Sequence, residues 1–449
     1  DAPGGTGKTF TFNTILAFVR SKKTIAIAVS ASGISAIMLK GGRTVHSKFK
    51  IPLKIYEDSQ LPIKENSNLG GLIRESKLII FDEAAMANRL IPECIDRYCQ
   101  QLMDTDKIMG GKTFVMGGDF RQVLPVVPRG GKAEILNQTL KSSYLWNHFT
   151  NVKLTINQRL QGTDALQFQA FLLQVGEGTY PTHENLGKGI IRIPDSLIFP
   201  SSVENALHHF VDTIFPELNN PIAVATLGHD SEPILKAILT PLNAHVNEIN
   251  DIALNKLQGD VIELESSDEV VNGEGNIVPM EFLNSLEISG LPPHILKVKL
   301  GVPLILLRNL DPKNGLMNGT RLEAMRVTRL CLTVKVVSGS HIGDIVMLPR
   351  VDLIPTDTTL PFEFKRRQFP VKLAYGMTIN KAQGQSLDSV GIYLPTSCFA
   401  HGQLYVALSR AKHPTKVKML IKDVPKRQGH FQGHEGVYTT NVVYKEVFQ

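Results

Sequence analysis

LIIFDEAAM, residues 78–86, is an apolar run that stops on two adjacent carboxylates. Residues 78–81 have the composition of a strand buried on both faces, and Asp82 and Glu83 fall where such a strand ends. Alone, an acidic pair there reads as a solvated strand end. The upstream stretch DAPGGTGKT (1–9) changes its meaning. A glycine-rich loop that closes on Lys and Thr turns backbone N–H groups toward phosphates, helped by the positive end of the helix that follows. Gly4, Gly5, Thr6 and Gly7 would form that cradle. Lys8 would reach the β- and γ-phosphates, and Thr9 would hold Mg²⁺ through its hydroxyl. Asp82 would be the second Mg²⁺ ligand, and Glu83 would orient or deprotonate the attacking water. GKT by itself is common, and Ala2 stands where the loop pattern has its first glycine. Together with the acidic strand end, it points to ATP hydrolysis.

Outward from these two stretches, short apolar runs alternate with helical patterns. IAIAVS (25–30), KLIIFDE (77–83), KTFVMGGD (112–119) and VKLTI (152–156) read as strands, with helices over 8–20, 32–39 and 88–103. The alternation predicts a parallel sheet covered on both faces. A second set follows: KAILTP (236–241), a helix near 243–257, KLAY (372–375), SVGIYLP (389–395), a helix near 401–410 and KVKMLI (416–421). Between them, residues 296–355 are dense in short β-rich runs broken by DPKNG, MNGT and SGS, the pattern of a small antiparallel barrel. The segments 216–235 and 424–436 read as loops.

The chain has 449 residues, 43% apolar and 20% charged, with net charge +6. That is a globular composition that permits a polyanionic partner. The longest apolar runs are too short to span a bilayer. Cys94, Cys99, Cys331 and Cys398 lack metal-ligand spacing, so a reduced, intracellular setting is expected.

Further stretches extend the pattern: VSASGISAIMLKGGRTVHSKFKIPL (29–53), GGDFRQVLPVVP (117–128), LTINQRL (154–160), GVPLILLRNLDPKNGLMNGTRL (301–322), MTINKAQGQSL (377–387) and HGQLYVALSRAK (401–412). In this order they resemble the superfamily-one helicases, and more narrowly the Pif-one (petite integration frequency) family with its helitron-type relatives. The resemblance covers nearly the whole chain. It implies an α/β fold of two RecA-like P-loop NTPase lobes with parallel sheets. The first lobe would span 1–157, with a small wedge-like insertion at about 46–66. The second would begin at 158–295, carry an inserted SH3-like β-barrel at 296–355 over the DNA path, and finish at 356–449.

The resemblance further implies a motor stepping 5′-to-3′ on single-stranded DNA. ATP and Mg²⁺ would be its cofactors, and single-stranded DNA and duplex junctions its partners. It would act as a monomer on DNA, in the nucleus or the mitochondrion, in repair, recombination and telomere maintenance. Gln122 would sense the γ-phosphate. Arg159 and Arg410 would approach that phosphate from the second lobe, where a guanidinium is worth on the order of 10³–10⁵ in rate. Gly384 would complete the nucleotide contacts.

Such a motor grips phosphates and stacks bases. Ser32, Gly33, His46, Ser47, Lys48, Thr378, Asn380, Lys381 and Gln383 have the donors for phosphate contact. Phe49 suits either base stacking or the core. The basic KRR at 365–367 reads as a solvated or DNA-facing turn, and His208–His209 as a helix face.

No strand precedes the P-loop in this sequence, which begins without Met. An N-terminally truncated chain is therefore expected. That leaves a second reading open, a pseudo-helicase that binds nucleic acid with little or no ATP turnover. A third, a small-molecule kinase, is disfavoured by the paired arginine motifs.

Overall fold

The computed structural model describes residues 1–52, 54–158, 163–219, 235–271, 278–339, 341–355 and 360–449. Arg159 and most of the 216–235 loop lie outside the described residues. These divide into two compact units. One comprises Asp1–Glu204, Leu239–Pro241 and Thr378–Gln449; the other comprises Asn205–Ile238 and Leu242–Met377.

The first unit opens with the phosphate loop and helix α1 (Lys8–Ser21). Gly7 caps that helix at φ 83°, a left-handed conformation that favours glycine. Strand β1 (Ala26–Ser30) follows, then α2 (Gly33–Met38), the short β2 (Arg43–Thr44), α3 (Val45–Phe49), β3 (Leu78–Asp82), α4 (Leu90–Met103) and β4 (Thr113–Met116). The four strands form one parallel sheet in the order β2-β1-β3-β4. Residues of β1 and β3 are buried throughout, as continuous apolar runs predict.

Their alternating side chains enter two cores. Ala26, Ala28, Leu78 and Ile80 pack with Phe12 and Leu16 of α1. Ile27, Val29, Ile79 and Phe81 pack with Ile91, Ile95 and Cys99 of α4. The small alanines let α1 lie close to the sheet, which fixes the loop at its N-terminus. Register places Ser30 beside Asp82, so the carboxylate stands at the carboxyl end of the sheet, where parallel α/β sheets bind ligands.

VKLTI forms no strand. Its described backbone bonds are to Asp1: the Asp1 ammonium donates to Val152 O (2.8 Å), and Leu154 N–H donates to Asp1 O (3.0 Å). Val152 and Ile156 are exposed. Apolar alternation without a neighbouring ladder does not make a strand.

The chain passes between units along β5 (Lys236–Thr240). In the second unit, α5 (Ala206–Ile214) carries His208 and His209 on its exposed face, as expected, and α6 spans Asn243–Lys256. Its strands include β6 (Ser267–Val270), β7 (Pro303–Leu306), β8 (Arg321–Val327), β9 (Cys331–Val336), β10 (Ile345–Pro349), β11 (Val351–Leu353), β12 (Phe364–Gln368) and β13 (Val371–Leu373). Five form an antiparallel sheet in the order β10-β9-β8-β7-β13, and three more form the sheet β11-β12-β6.

The antiparallel texture at 296–355 matches the sequence reading, but two expectations need correction. KLAY supplies β13, which pairs antiparallel with β7 rather than joining a parallel set. KRR is no turn: it lies in β12, and Arg366 is buried against Asp268. Backbone pairing, invisible in the local sequence, decides both.

Back in the first unit, β14 (Ser389–Leu394) and β15 (Val417–Ile421) pair in parallel on either side of α7 (Gln403–Leu408). Among the described residues no helix is long and apolar enough to cross a membrane.

Candidate active site

The phosphate loop borders a cavity of about 330 Å³ in the first unit. Glu83, Gln122, Gln158, Gly384 and Arg410 complete its wall. Lys8 and the strand-end carboxylates meet there. Lys8 Nζ lies 2.6 Å from Asp82 Oδ1 and donates to Glu83 Oε1 at 2.8 Å. Burial alone would lower the lysine pKa, but the two carboxylates overcome it and hold the ammonium above its usual range. Burial and the neighbouring Glu83 push Asp82 up, against the pull of Lys8. Glu83 adopts φ 54°, an uncommon conformation for a non-glycine residue, and its N–H donates to Asp82 Oδ1 at 2.8 Å.

Two anions against one cation leave the cluster one negative charge in excess, which suits a divalent cation. Among the described residues no group of three or more His, Cys, Asp and Glu side chains could hold a metal. Mg²⁺ commonly takes one or two protein ligands and completes its octahedron with phosphates and water, so Asp82 and the Thr9 hydroxyl fit that donor set.

Arg410 sits beside the loop, 3% exposed. It donates to Val406 O (2.9 Å), Gln385 O (3.2 Å) and Ser409 Oγ (2.7 Å), all neutral acceptors. Among the described residues it has no ion-pair partner, and burial lowers its pKa. The charges of Tyr405, Glu83 and Asp119 offset that burial only in part, so a buried guanidinium with no direct ion pair is suited to an anion. Gln122 is buried, donates weakly to Asp119 Oδ2 (3.4 Å), and among the described residues leaves its Oε1 without a partner. A free acceptor there suits the O–H of a water. Gly384 is at φ 79°, and a Cβ on it would stand 2.7 Å from Ser35 Oγ, so only glycine fits. Arg159 lies outside the described residues, but the two residues before it are pinned to the loop. Asn157 Nδ2 donates to Gly4 O (3.3 Å), and Gln158 N–H donates to Gly5 O (2.8 Å).

The sequence profile described as PIF1-like helicase matches residues 1–186, and that of the DNA helicase Pif1 2B domain matches residues 281–330. Over these stretches the chain resembles the PIF1-like helicases. It is similar to the ATP-dependent DNA helicase Pif1 of Campylobacter jejuni, 26% identical over 92% of this chain and 86% of that one. The rat ATP-dependent DNA helicase PIF1 is 26% identical over 93% of this chain, which spans 58% of its length. Among solved structures, Bacteroides Pif1 bound to single-stranded DNA matches with TM-score 0.66 at 23% identity, covering 93% of this chain and 87% of that one. Candida albicans Pif1 matches with TM-score 0.65 at 24% identity, covering 95% and 91%. The fold is therefore that of a Pif1-type helicase, with RecA-like parallel sheets.

Within this PIF1-like site, the sequence reading passed over three residues that sit inside its own motifs. Tyr405 donates to Asp119 Oδ2 (2.8 Å) and accepts the N–H of Gly4 (3.2 Å). Arg121 spans Asp119 (3.1 Å) and Glu177 (2.6 Å). His401 donates from Nε2 to Phe120 O (2.7 Å) and accepts the N–H of Tyr444 at Nδ1 (2.8 Å). The quoted motifs hold all three, but no local spacing gives their partners.

The nucleic-acid candidates fall into two groups. Ser32 caps α2 through Ser35 N–H (3.2 Å), and Gly384 lies against both serines, so residues 32–35 meet the segment that carries Gln383. Gln383 is buried, its Oε1 unpartnered among the described residues, while Asn380 and Lys381 are exposed and Thr378 is half-buried. His46, Ser47 and Lys48 lie on α3; burial first, and then the nearby Arg43, lower the Lys48 pKa. Phe49 is corrected. It is 0% exposed in the core with Val29 and Phe81 and cannot stack on a base.

Proposed function

We propose that this chain is an ATP-dependent DNA helicase. It would couple hydrolysis at Lys8, Asp82 and Glu83 to 5′-to-3′ movement on single-stranded DNA and to opening of duplex junctions. One observation carries the reading: buried Arg410, with no ion pair among the described residues, lines the cavity of the phosphate loop and is placed to receive an anion. Relatives named ATP-dependent DNA helicases support it, as do Bacteroides Pif1 structures with single-stranded DNA and with ADP-AlF3.

In the proposed cycle Lys8 exchanges its two carboxylates for the β- and γ-phosphates. That exchange releases Glu83 to hold and deprotonate the attacking water, and the free Gln122 oxygen receives the second O–H. Thr9 and Asp82 would hold Mg²⁺, which when bound would supply positive charge against the phosphates. Arg410, joined by Arg159, stabilises the charge that spreads over the γ-phosphoryl oxygens.

Ser32, Gly33, His46, Ser47, Lys48, Thr378, Asn380, Lys381 and Gln383 are assigned to the DNA path. The lobes are assigned as 1–157 and 158–449, with the wedge at 46–66 and the barrel at 296–355 over the DNA. Action by a single chain on DNA is part of the same assignment. The family supports DNA maintenance as the process, in nucleus or mitochondrion.

The test is ATP hydrolysis with and without single-stranded DNA, beside Lys8→Ala and Glu83→Gln. DNA-stimulated turnover abolished by Lys8→Ala, with nucleotide binding kept in Glu83→Gln, supports the proposal. DNA binding without any turnover would instead favour a non-hydrolysing binder.

A further inference from the structure

In the second unit, β10 is the outer strand of the five-stranded sheet and pairs, among the described residues, with β9 alone. The phase of that ladder is set at its turn, where Gly343 N–H donates to Val336 O and Val336 N–H donates to Asp344 O, both at 2.9 Å. Register then turns the backbone groups of Val346 and Leu348 inward, toward Val334 and Leu332. The N–H and C=O groups of Ile345 and Met347 point out of the sheet.

Protein edges of this kind are usually guarded by lysines, inward charges or a covering segment. Here the outer side chains are apolar. Met347 is 73% exposed and Ile345 60%, with Leu330 (79%) and Ile342 (53%) in the two flanking turns. Pro349, which lacks an N–H, closes the strand and limits the open edge to its first residues.

Cations surround this edge. Lys335 is the register partner of Ile345, and Arg326 lies beyond Thr333, the partner of Met347. Arg329 precedes Leu330, and its carbonyl accepts from Arg350 Nε at 3.1 Å. Burial and then the neighbouring Arg329 and Arg367 lower the Arg350 pKa, which marks a cationic corner. Of the nearby acids, Asp344 is engaged by His341 (3.1 Å), and Glu323 lies across from Lys335 on β8.

We propose that β10 is a docking edge for an extended peptide segment of a partner protein, one that alternates apolar with acidic side chains and adds itself as a sixth strand. A peptide backbone satisfies both the outward N–H and the outward C=O groups. A phosphodiester offers acceptors only and would set its charge against the carbonyls. None of the four exposed apolar side chains is aromatic, so base stacking has no platform here. The partner's acids would meet Arg326 and Arg329, and its apolar residues would cover Ile345 and Met347.

The test uses the full chain and a fluorescein-labelled peptide of about eight residues that alternates Val or Ile with Asp or Glu, a typical strand length. Fluorescence polarisation follows three comparisons. The first is the same peptide N-methylated at alternate residues, so that one edge cannot donate. The second is the Met347→Lys chain, with Ile345→Lys as a second variant should the first not fold. The third is competition by single-stranded oligo-dT. Saturable binding that weakens about tenfold or more on methylation and in the lysine variant, and is indifferent to oligo-dT, supports the edge. Absence of binding, equal binding of the methylated peptide, or an unchanged variant overturns it. Displacement by oligo-dT also overturns it and makes the surface a nucleic-acid contact. Methylation acts on the probe, so that comparison stands whatever the variants do.

Discussion

Tyr405 donates its phenolic hydrogen to Asp119 across 2.8 Å, and the same oxygen accepts the backbone N–H of Gly4 at 3.2 Å. One buried hydroxyl thus ties the phosphate loop to GGDFRQ and to α7. Burial first, and then the Asp119 charge, hold the phenol far above its usual pKa, so it remains a neutral donor.

Tyr405→Phe removes that tie and leaves the buried Asp119 and the half-buried Gly4 N–H each short of a partner. The expected cost to stability is about 1–3 kcal/mol. If the tie positions the loop for reaction, kcat falls by about tenfold, equivalent to ~1.4 kcal/mol, with a smaller change in KM for ATP. Steady-state kinetics with single-stranded DNA, beside thermal unfolding, checks both. A stability loss with kcat intact would make Tyr405 purely structural.

The sequence disclosed chemistry better than packing. GGTGKT and the DE pair could be read because their residue types have few other uses in that order, and β3, which ends on the pair, is a continuous apolar run; Arg410 stood out only within its longer motif. Phe49 was ambiguous because a Phe after a Lys serves a surface or a core equally well; only its contact with Val29 and Phe81 decides. VKLTI, KLAY and KRR misled because pairing across the sheet, not local pattern, sets their state. The tie from Tyr405 to Gly4 spans 401 residues and leaves no local trace.

Lys8→Met should abolish turnover and also expose the electrostatics of the empty loop. Without the ammonium, Asp82 loses the interaction that offsets its burial and the charge of Glu83. A carboxylate whose folded pKa is raised costs stability above that pKa, and the cost is relieved as pH falls through it. The raised Lys8 pKa works at the other end: its contribution is complete below the ordinary lysine value and fades only at strongly alkaline pH. The difference in Tm between wild type and Lys8→Met should therefore shrink from about pH 8 to about pH 5. A difference constant over that range would show that the lysine acts by packing alone.

His401 predicts the same trend from the opposite pKa shift. Its hydrogen bonds to Phe120 O and Tyr444 N–H require the neutral ring with the proton on Nε2. Burial depresses its pKa below 6.5, against the pull of the Phe120 carbonyl and of Asp119 and Glu446. The folded state then binds fewer protons than the unfolded one, so this contribution is full above the unfolded value and is lost as pH falls toward the folded one. His401→Gln should be least stable relative to wild type near about pH 7.5 and approach it near about pH 5. Paired chemical denaturation curves at the two pH values measure the change.

Arg366 and Asp268 offer a test of whether a buried ion pair stabilises the second unit. Arg366 Nε donates to Asp268 Oδ1 (2.9 Å) and Nη2 to Oδ2 (2.6 Å), across the register of β12 and β6. The same guanidinium donates to the carbonyls of Leu283 (3.3 Å), Leu286 (3.3 Å) and Pro292 (3.0 Å), fastening the 283–292 segment to the sheet. Arg366→Met leaves Asp268 buried with Ser266 Oγ as its remaining close donor at 2.6 Å and His294 at 3.8 Å. The expected loss is about 3–5 kcal/mol. Replacing both partners, Arg366→Met with Asp268→Leu, removes the stranded charge and should recover most of that loss. The recovery stays incomplete, because the three carbonyls still lack their donor. Urea denaturation of the four chains gives the coupling energy. Additive losses would mean that the pair itself contributes nothing and that the carbonyl contacts hold the segment.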